Sequence, residues 1–281
     1  MQKVLITGAT VLGRAICKSA MDAGLAVRQG VRNSAKANPK AEAVHFDYAD
    51  PSTISAALEG MAALVLIAPP LESNAPALLG PVIMAANAAN FQQIVLISAF
   101  GVNHNEGAPL VLLSTSSSTL ECLIRSCGRI SLWRTFFEGF LAAGIREQNA
   151  IYLAAGDGKT SFISVKDIAS VVVAALQQSL TGREIDLTGP EALDHFEVAN
   201  IISRVSGRTV VYHLLTGEQM LEGARALGTP EPGVAYLVML YSIVRAGHAA
   251  GITPYPETIT RQKPLTFEAF AEAVDWKEES K

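Results

Sequence analysis

The sequence predicts a doubly wound, Rossmann-type α/β fold: a parallel sheet flanked by helices, followed by a smaller, mostly helical C-terminal region. Three observations carry this expectation. Short, continuous apolar runs recur between amphipathic stretches through the first half of the chain. The opening segment, up to Arg32, reads strand, tight glycine turn, helix, strand. After about residue 135 the rhythm changes.

The apolar runs are KVLIT at 3–7, AVRQGV at 26–31, AVHF at 43–46, ALVLIA at 63–68, QIVLIS at 93–98 and ISLWR at 130–134. Unbroken aliphatic and β-branched runs of this length mark parallel strands buried on both faces. The segments between them predict helices from Val11 to Ala23, Pro51 to Leu58, Ala75 to Ala89 and Pro109 to Cys127. Strict alternation of the two element types gives right-handed crossovers and a doubly wound sheet. In the second half, a Gly-Asp-Gly turn at 156–158 precedes a strand-like TSFISV, and Asp167 can cap a helix from Ile168 to about Gln178. Glu184 to Leu187 reads as another strand, and His195 to Val205, Gly217 to Leu227, Val234 to Ala246 and Phe267 to Val274 as helices. The expected division is residues 1–150 as the sheet domain and 151–281 as a smaller capping region whose strands interleave with the main sheet.

Composition narrows the function classes. Of 281 residues, 49% are hydrophobic, enough for a large core, and the formal charge of −4 is scattered, with no basic run to neutralise a phosphate backbone. Nucleic acid is therefore not an expected partner. Cys17, Cys122 and Cys127 form no C-x-x-C pair and read as buried free thiols. The chain opens directly on a strand, and its longest apolar helix, Val234 to Val244, falls well short of a bilayer span of about 20 residues. A cytoplasmic protein acting on a small molecule, as monomer or homodimer, is the expectation.

The segment VLITGATVLGRAI carries the chemistry. A strand, a tight turn and a helix N-terminus place backbone N–H groups and the positive end of the helix dipole where a pyrophosphate can sit. The spacing is Gly8-x-x-x-x-Gly13, without the middle glycine that usually lets a diphosphate approach, and without the Gly-Lys-Ser/Thr of a P-loop. The end of the second strand offers no acid for a ribose 2′-hydroxyl. It offers Arg28 and Arg32, with Lys36 close behind, which suit a 2′-phosphate and favour NADP over NAD.

With LITGATVLGRAI, VRQGVRNSAK, HFDYADPSTISAALEG, LVLIAPP, IVLISAFGV, GDGKTSFISVKDIASVVVAAL and IDLTGPEALDHFEVANIIS in this order, nearly the whole chain resembles the NmrA-like group of atypical short-chain dehydrogenases/reductases, which includes quinone and dye reductases and redox-sensing regulators. The resemblance implies that Gly8, Thr10, Val11, Leu12 and Gly13 surround the diphosphate, Arg32 meets the 2′-phosphate and Asp47 lies beside the adenine. It further places Ala68, Pro69, Pro70 and Ser98 near the nicotinamide. The sequence departs from the group in its glycine loop, one residue short, in Leu132-Trp133-Arg134 where Leu-Arg-Pro is usual, and in a run of serines and threonines at 114–119.

None of the six tyrosines has a lysine four residues later, so the Tyr-x-x-x-Lys proton relay is absent. The five histidines are dispersed, with no metal-ligand spacing, and no G-x-S-x-G elbow occurs. His104, in a Gly/Asn-rich loop after the fifth strand, and Ser98 are the candidate proton donors or substrate contacts; a plain surface loop is the alternative for His104. Phe100, Phe136 and Phe137, with Ser114 and Ser118 one helical turn apart, are the candidate substrate contacts, with core packing as the alternative for each aromatic. The expected activity is NADPH-dependent reduction of a small aromatic, quinone-like or conjugated substrate. A non-redox isomerase, cyclase or lyase using the same pocket, and a non-catalytic NADP redox sensor, are the alternatives.

Overall fold

A computed structural model describes residues 3–69, 75–99, 122–126, 141–178, 180 and 183–276. The strands are β1 (Lys3–Thr7), β2 (Ala26–Val31), β3 (Glu42–His45), β4 (Ala63–Ile67), β5 (Gln93–Ala99), β6 (Cys122–Ser126), β7 (Ala150–Leu153), β8 (Arg183–Leu187) and β9 (Val211–Leu214). The helices are α1 (Val11–Asp22), α2 (Ser52–Leu58), α3 (Ala75–Ala88), α4 (Ala142–Gln148), α5 (Val165–Gln178), α6 (His195–Ser206), α7 (Gly217–Ala226), α8 (Glu231–Arg245), α9 (Tyr255–Thr260) and α10 (Phe267–Glu272).

Seven strands pair in parallel in the order β3-β2-β1-β4-β5-β6-β8. The chain builds outward from β1 to β3, then returns to β4 on the other side of β1. The gap between β1 and β4 is thus the topological switch point, where open α/β sheets bind ligands beyond the strand C-termini. Alternation within each strand sorts the core into two layers. Val4, Ile6, Val65, Ile67, Val95 and Ile97 face α1 and α5, whereas Leu5, Leu64, Leu66, Ile94 and Leu96 face α2 and α3. Cys17, on the buried face of α1, is a free thiol, and burial pushes its pKa up to about 11, so it is an inert packing group.

A third core gathers the later elements around Phe162, Tyr241 and Phe267, with side chains from α4, α6, α8 and the small parallel pair β7·β9. Helix α5 and strand β8 do not belong to it; they pack with the main sheet. The later half of the chain is interleaved with the main sheet in this sense.

Three expectations need correction. Cys122 to Ser126 is a central parallel strand, not the end of a helix begun at Pro109; the β-branched and aliphatic CLIRS is taken up by pairing on both sides with β5 and β8. The run ISLWR lies outside the described residues. TSFISV is not a ladder strand. Its backbone groups are satisfied by several different segments, with Thr160 bridging Leu193, Ser161 N–H donating to the Ala249 carbonyl and the Ser161 carbonyl accepting from Gly189. Helix α5 starts earlier than expected: the Ser164 hydroxyl accepts from the Asp167 N–H at 3.0 Å, so Ser164 caps it and Asp167 stands inside its first turn. Finally, β7, β9, α4 and α9 had no sequence counterpart.

Candidate functional site

The C-terminal ends of β1, β2, β3 and β4 surround a cleft of about 710 Å³, within the range of small-molecule sites. Its first wall is the glycine loop. Gly8 adopts φ +87°, a conformation that a side chain would strain, and its N–H donates to the Gly30 carbonyl. Thr10 is the N-cap of α1, its hydroxyl accepting from the Gly13 N–H at 3.3 Å. A Cβ on Gly13 would lie 2.4 Å from the Gly8 carbonyl oxygen, so only glycine lets α1 sit this close to the strand exit. The two glycines therefore have separate jobs, Gly8 a positive φ and Gly13 a close helix approach. Buried Gln29 stitches the neighbouring loop to this one, donating to the Gly8 carbonyl at 2.9 Å and accepting from the Asn38 N–H at 2.7 Å.

Arg32, Asn33 and Lys36 form the second wall, past the end of β2. Asn33 caps a short 3₁₀ turn, Ser34–Lys36, through its side chain. Arg32 and Lys36 are exposed on the rim, and the side chain of neither makes an ion pair or a hydrogen bond among the described residues. Arg28 is different, and its expected phosphate role is corrected. It pairs in register with Leu5, short of the strand end. Its guanidinium is 2.7 Å from Glu42 and donates to the Ala57 and Glu59 carbonyls at 3.2 and 2.7 Å, closing the C-terminus of α2.

The floor is Phe46, Asp47 and Tyr48. Asp47 accepts from the Ala49 N–H at 3.0 Å, so it shapes the turn and lines the cleft at once. The Tyr48 hydroxyl lies 2.7 Å from both the Thr7 hydroxyl and the Ile67 carbonyl, tying the ends of β1 and β4 together beneath the cleft. Ile67, Ala68 and Pro69 complete the enclosure. Ser98 follows Ile97, which pairs with Ile67, so the backbone places it at the same sheet edge, one residue further along β5.

Gly8, Thr10, Arg32, Asp47, Ala68 and Pro69 thus converge on one cleft. Leu12 does not line it: its side chain is buried in the core, and with Val11 it offers backbone N–H groups at the start of α1, as any helix N-terminus does. Pro70, Phe100, His104, Ser114, Ser118, Phe136 and Phe137 lie outside the described residues. Sequence reasoning missed Gln29 and Tyr48. A glutamine inside an apolar strand was the available signal for the first, since a buried amide must find partners.

Elsewhere, a smaller cleft of about 500 Å³ lined by Ser19, Ser170, Gln177 and Arg261 touches no strand end. Among the described residues no helix is long and apolar enough to cross a membrane, and no group of His, Cys, Asp and Glu could hold a metal ion.

The residues present fit a dinucleotide: a glycine-lined helix N-terminus for a diphosphate, unpaired cations at one end and a small-residue strand exit at the other. Comparison with known proteins agrees. Residues 8–121 match a family described as NAD(P)H-binding. The chain is 33% identical over 255 residues to agroclavine dehydrogenase of Claviceps fusiformis, covering 84% of this chain and 86% of that one. It is 28% identical over 283 residues to an NAD(P)H azoreductase of Xenophilus azovorans, covering 96% and 97%. In fold it is similar to an NADPH-dependent quinone oxidoreductase of Escherichia coli crystallised with NADPH, with a TM-score of 0.81 at 21% identity over 96% of this chain and 99% of that one. The chain belongs to the NmrA-like, atypical short-chain dehydrogenase/reductase family and is an NAD(P)H-dependent oxidoreductase.

Proposed function

We propose that the chain is an NADPH-dependent reductase of a small aromatic, quinone-like or otherwise conjugated acceptor. The observation that carries the cofactor choice is the pair Arg32 and Lys36, unpartnered among the described residues on the cleft rim beyond β2, with no carboxylate at that strand end. A ribose 2′-phosphate there meets a planar donor fork and a second cation, whereas a 2′-hydroxyl finds no acid at the end of β2 to accept its hydrogen bond. Glu42, the one acid within the neighbouring strand, is held by Arg28 towards α2, and Asp47, past the end of that strand, lines the cleft while its carboxyl accepts from the Ala49 N–H.

Bound nicotinamide supplies the hydride, and the remaining chemistry falls to the chain. The glycine loop orients the diphosphate, and Ala68 and Pro69, small and rigid, leave room for a flat ring at the exit of β4. No tyrosine-lysine relay activates a carbonyl, so the acceptor must be electron-poor already, as quinones, azo groups and conjugated enones are. The azoreductase and quinone oxidoreductase among the similar proteins support this class. We place the acceptor over Pro69 and the Ser98 end of β5, with Ser98 and His104 as proton donors to test and Phe100, Ser114, Ser118, Phe136 and Phe137 as contacts to test. In this reading residues 1–150 hold the cofactor and 151–281 cover the acceptor.

The test is steady-state reduction of a quinone, an azo dye and an enone with NADPH and with NADH, for the wild type and Arg32→Ala. The expected result is turnover of at least one acceptor with NADPH preferred, and a loss in Arg32→Ala of about 1–3 kcal/mol in kcat/KM for NADPH but little for NADH. Equal losses for both cofactors refute the 2′-phosphate assignment. NADPH binding without oxidation by any acceptor points to a non-redox or sensing role.

A further inference from the structure

The glycine loop contains only two residues, Ala9 and Thr10, between Gly8 and the first residue of α1. The Gly8–Ala9 and Ala9–Thr10 peptides are therefore oriented by neither the strand nor the helix ladder; Gln29 holds the carbonyl of the first, which leaves the second. Its carbonyl has a partner outside the cleft: the Arg14 guanidinium, one turn into α1, donates to the Ala9 oxygen at 2.8 Å. Ala9 and Thr10 line the cleft and Arg14 does not. In a planar trans peptide the C=O and the following N–H point in opposite directions. Holding the Ala9 carbonyl towards Arg14 turns the Thr10 N–H away from Arg14, in a peptide whose two residues both line the cleft.

We propose that Arg14 is a positioning residue for the cofactor: by bracing the Ala9 carbonyl it presents the Thr10 N–H to the diphosphate, and so compensates for the missing middle glycine. The inference rests on the cofactor reading above and adds to it a residue that acts through the loop backbone. Thr10 already gives its side chain to the Gly13 N–H and its carbonyl to the Arg14 N–H, so its own N–H is the donor left for a ligand. Without the brace the peptide is free to rotate, and the donor must be reordered at each binding event.

Arg14 is exposed, so Arg14→Ala leaves the core untouched. The experiment titrates wild type, Arg14→Ala and Arg14→Lys calorimetrically with NADPH and with adenosine 2′-monophosphate, which has the 2′-phosphate but no diphosphate. It is run at low salt and at about 0.5 M salt, where long-range attraction between exposed charges is screened. The expected result is an NADPH Kd raised about five- to tenfold in Arg14→Ala at both salt concentrations, with most of the affinity restored in Arg14→Lys. Binding of adenosine 2′-monophosphate and the melting temperature stay unchanged. NADPH affinity equal to wild type overturns the proposal. So does a loss that vanishes at high salt, which makes Arg14 a distant charge, and so does an equal loss for both ligands, which makes it structural. A wild type that binds neither ligand refutes the cofactor reading itself, a result distinct from all of these.

Discussion

His195 offers the sharpest test of the energetics of the later half of the chain. It is the first residue of α6, fully buried, between the rings of Phe162 at 5.9 Å and Tyr212 at 5.4 Å, and neither ring nitrogen has a hydrogen-bond partner among the described residues. Burial lowers its pKa from 6.5 to about 4, and its place at a helix N-terminus opposes the cation in the same direction. The folded state therefore binds this proton less readily than the unfolded chain. Stability is fully present above the unfolded value and is lost as pH falls through 6.5 towards 4. At pH 5 the linkage amounts to about 2 kcal/mol relative to pH 7.5, or a fall in Tm of roughly 4–8 °C for a chain of this size. His195→Leu removes the titration and two unsatisfied nitrogens while roughly keeping the volume. Urea unfolding at pH 7.5 and pH 5.0 measures the difference. The leucine variant should lose about 2 kcal/mol less than wild type over that interval. Glu197, whose carboxyl is held below its usual value by the Asp194 N–H and by Lys159, loses its contribution at lower pH, so it does not mask the effect. Identical losses in the two proteins would refute the account, because the imidazole would then have to be equally accessible to protons in both states.

Arg28→Met separates the two arginines of the β2 region. It should lower stability by about 1–3 kcal/mol through the freed carbonyls of α2, seen as a reduced Tm, and leave the ratio of NADPH to NADH affinity at the wild-type value. A changed ratio would return Arg28 to the phosphate site. Gly13→Ala forces a methyl group against the Gly8 carbonyl and should displace α1 from the loop. The expected cost is about 1–3 kcal/mol of stability together with weaker NADPH binding, and unaltered calorimetric affinity would show that the close approach is dispensable.

The strands that were legible in the sequence are those buried on both sides. β1, β4 and β5 have continuous aliphatic centres because helices cover both of their faces, and the pattern follows from that burial. β7 and β9 are four residues each and pair only with one another among the described residues, so no period accumulates in either. Their pairing joins segments separated by α5, β8 and α6, a contact that local patterning does not encode. For α4 a signal was present: Asn149, in the left-handed conformation, closes it as a C-terminal cap. The strand at 122–126 is hidden in the sequence by the serine-rich stretch before it, which continues the helical pattern expected from Pro109. Arg28 and Arg32 look equivalent in sequence, but four residues of strand separate them by about 13 Å, and which of them clears the sheet edge depends on the register with β1.

The candidate site divides along the same line. A diphosphate is received by backbone, and backbone demands leave traces in sequence: Gly8 for a positive φ, Gly13 for a carbonyl 2.4 Å from where its Cβ would be, Thr10 for an N-cap. Each of these positions excludes most other residues, so the loop is readable even when one glycine is missing. Side chains that act through the backbone leave no such trace. Arg14 could be any polar residue on the exposed face of α1 until the 2.8 Å contact with Ala9 is seen, and Tyr48 could be any turn residue until its hydroxyl is found against Thr7 and Ile67. Glycine motifs therefore locate a dinucleotide site, whereas the residues that tune its donors emerge only when each backbone carbonyl near the loop is traced to its partner. In this chain that tracing is what separates Arg14 and Arg28, which hold carbonyls, from Arg32 and Lys36, which remain available to a ligand.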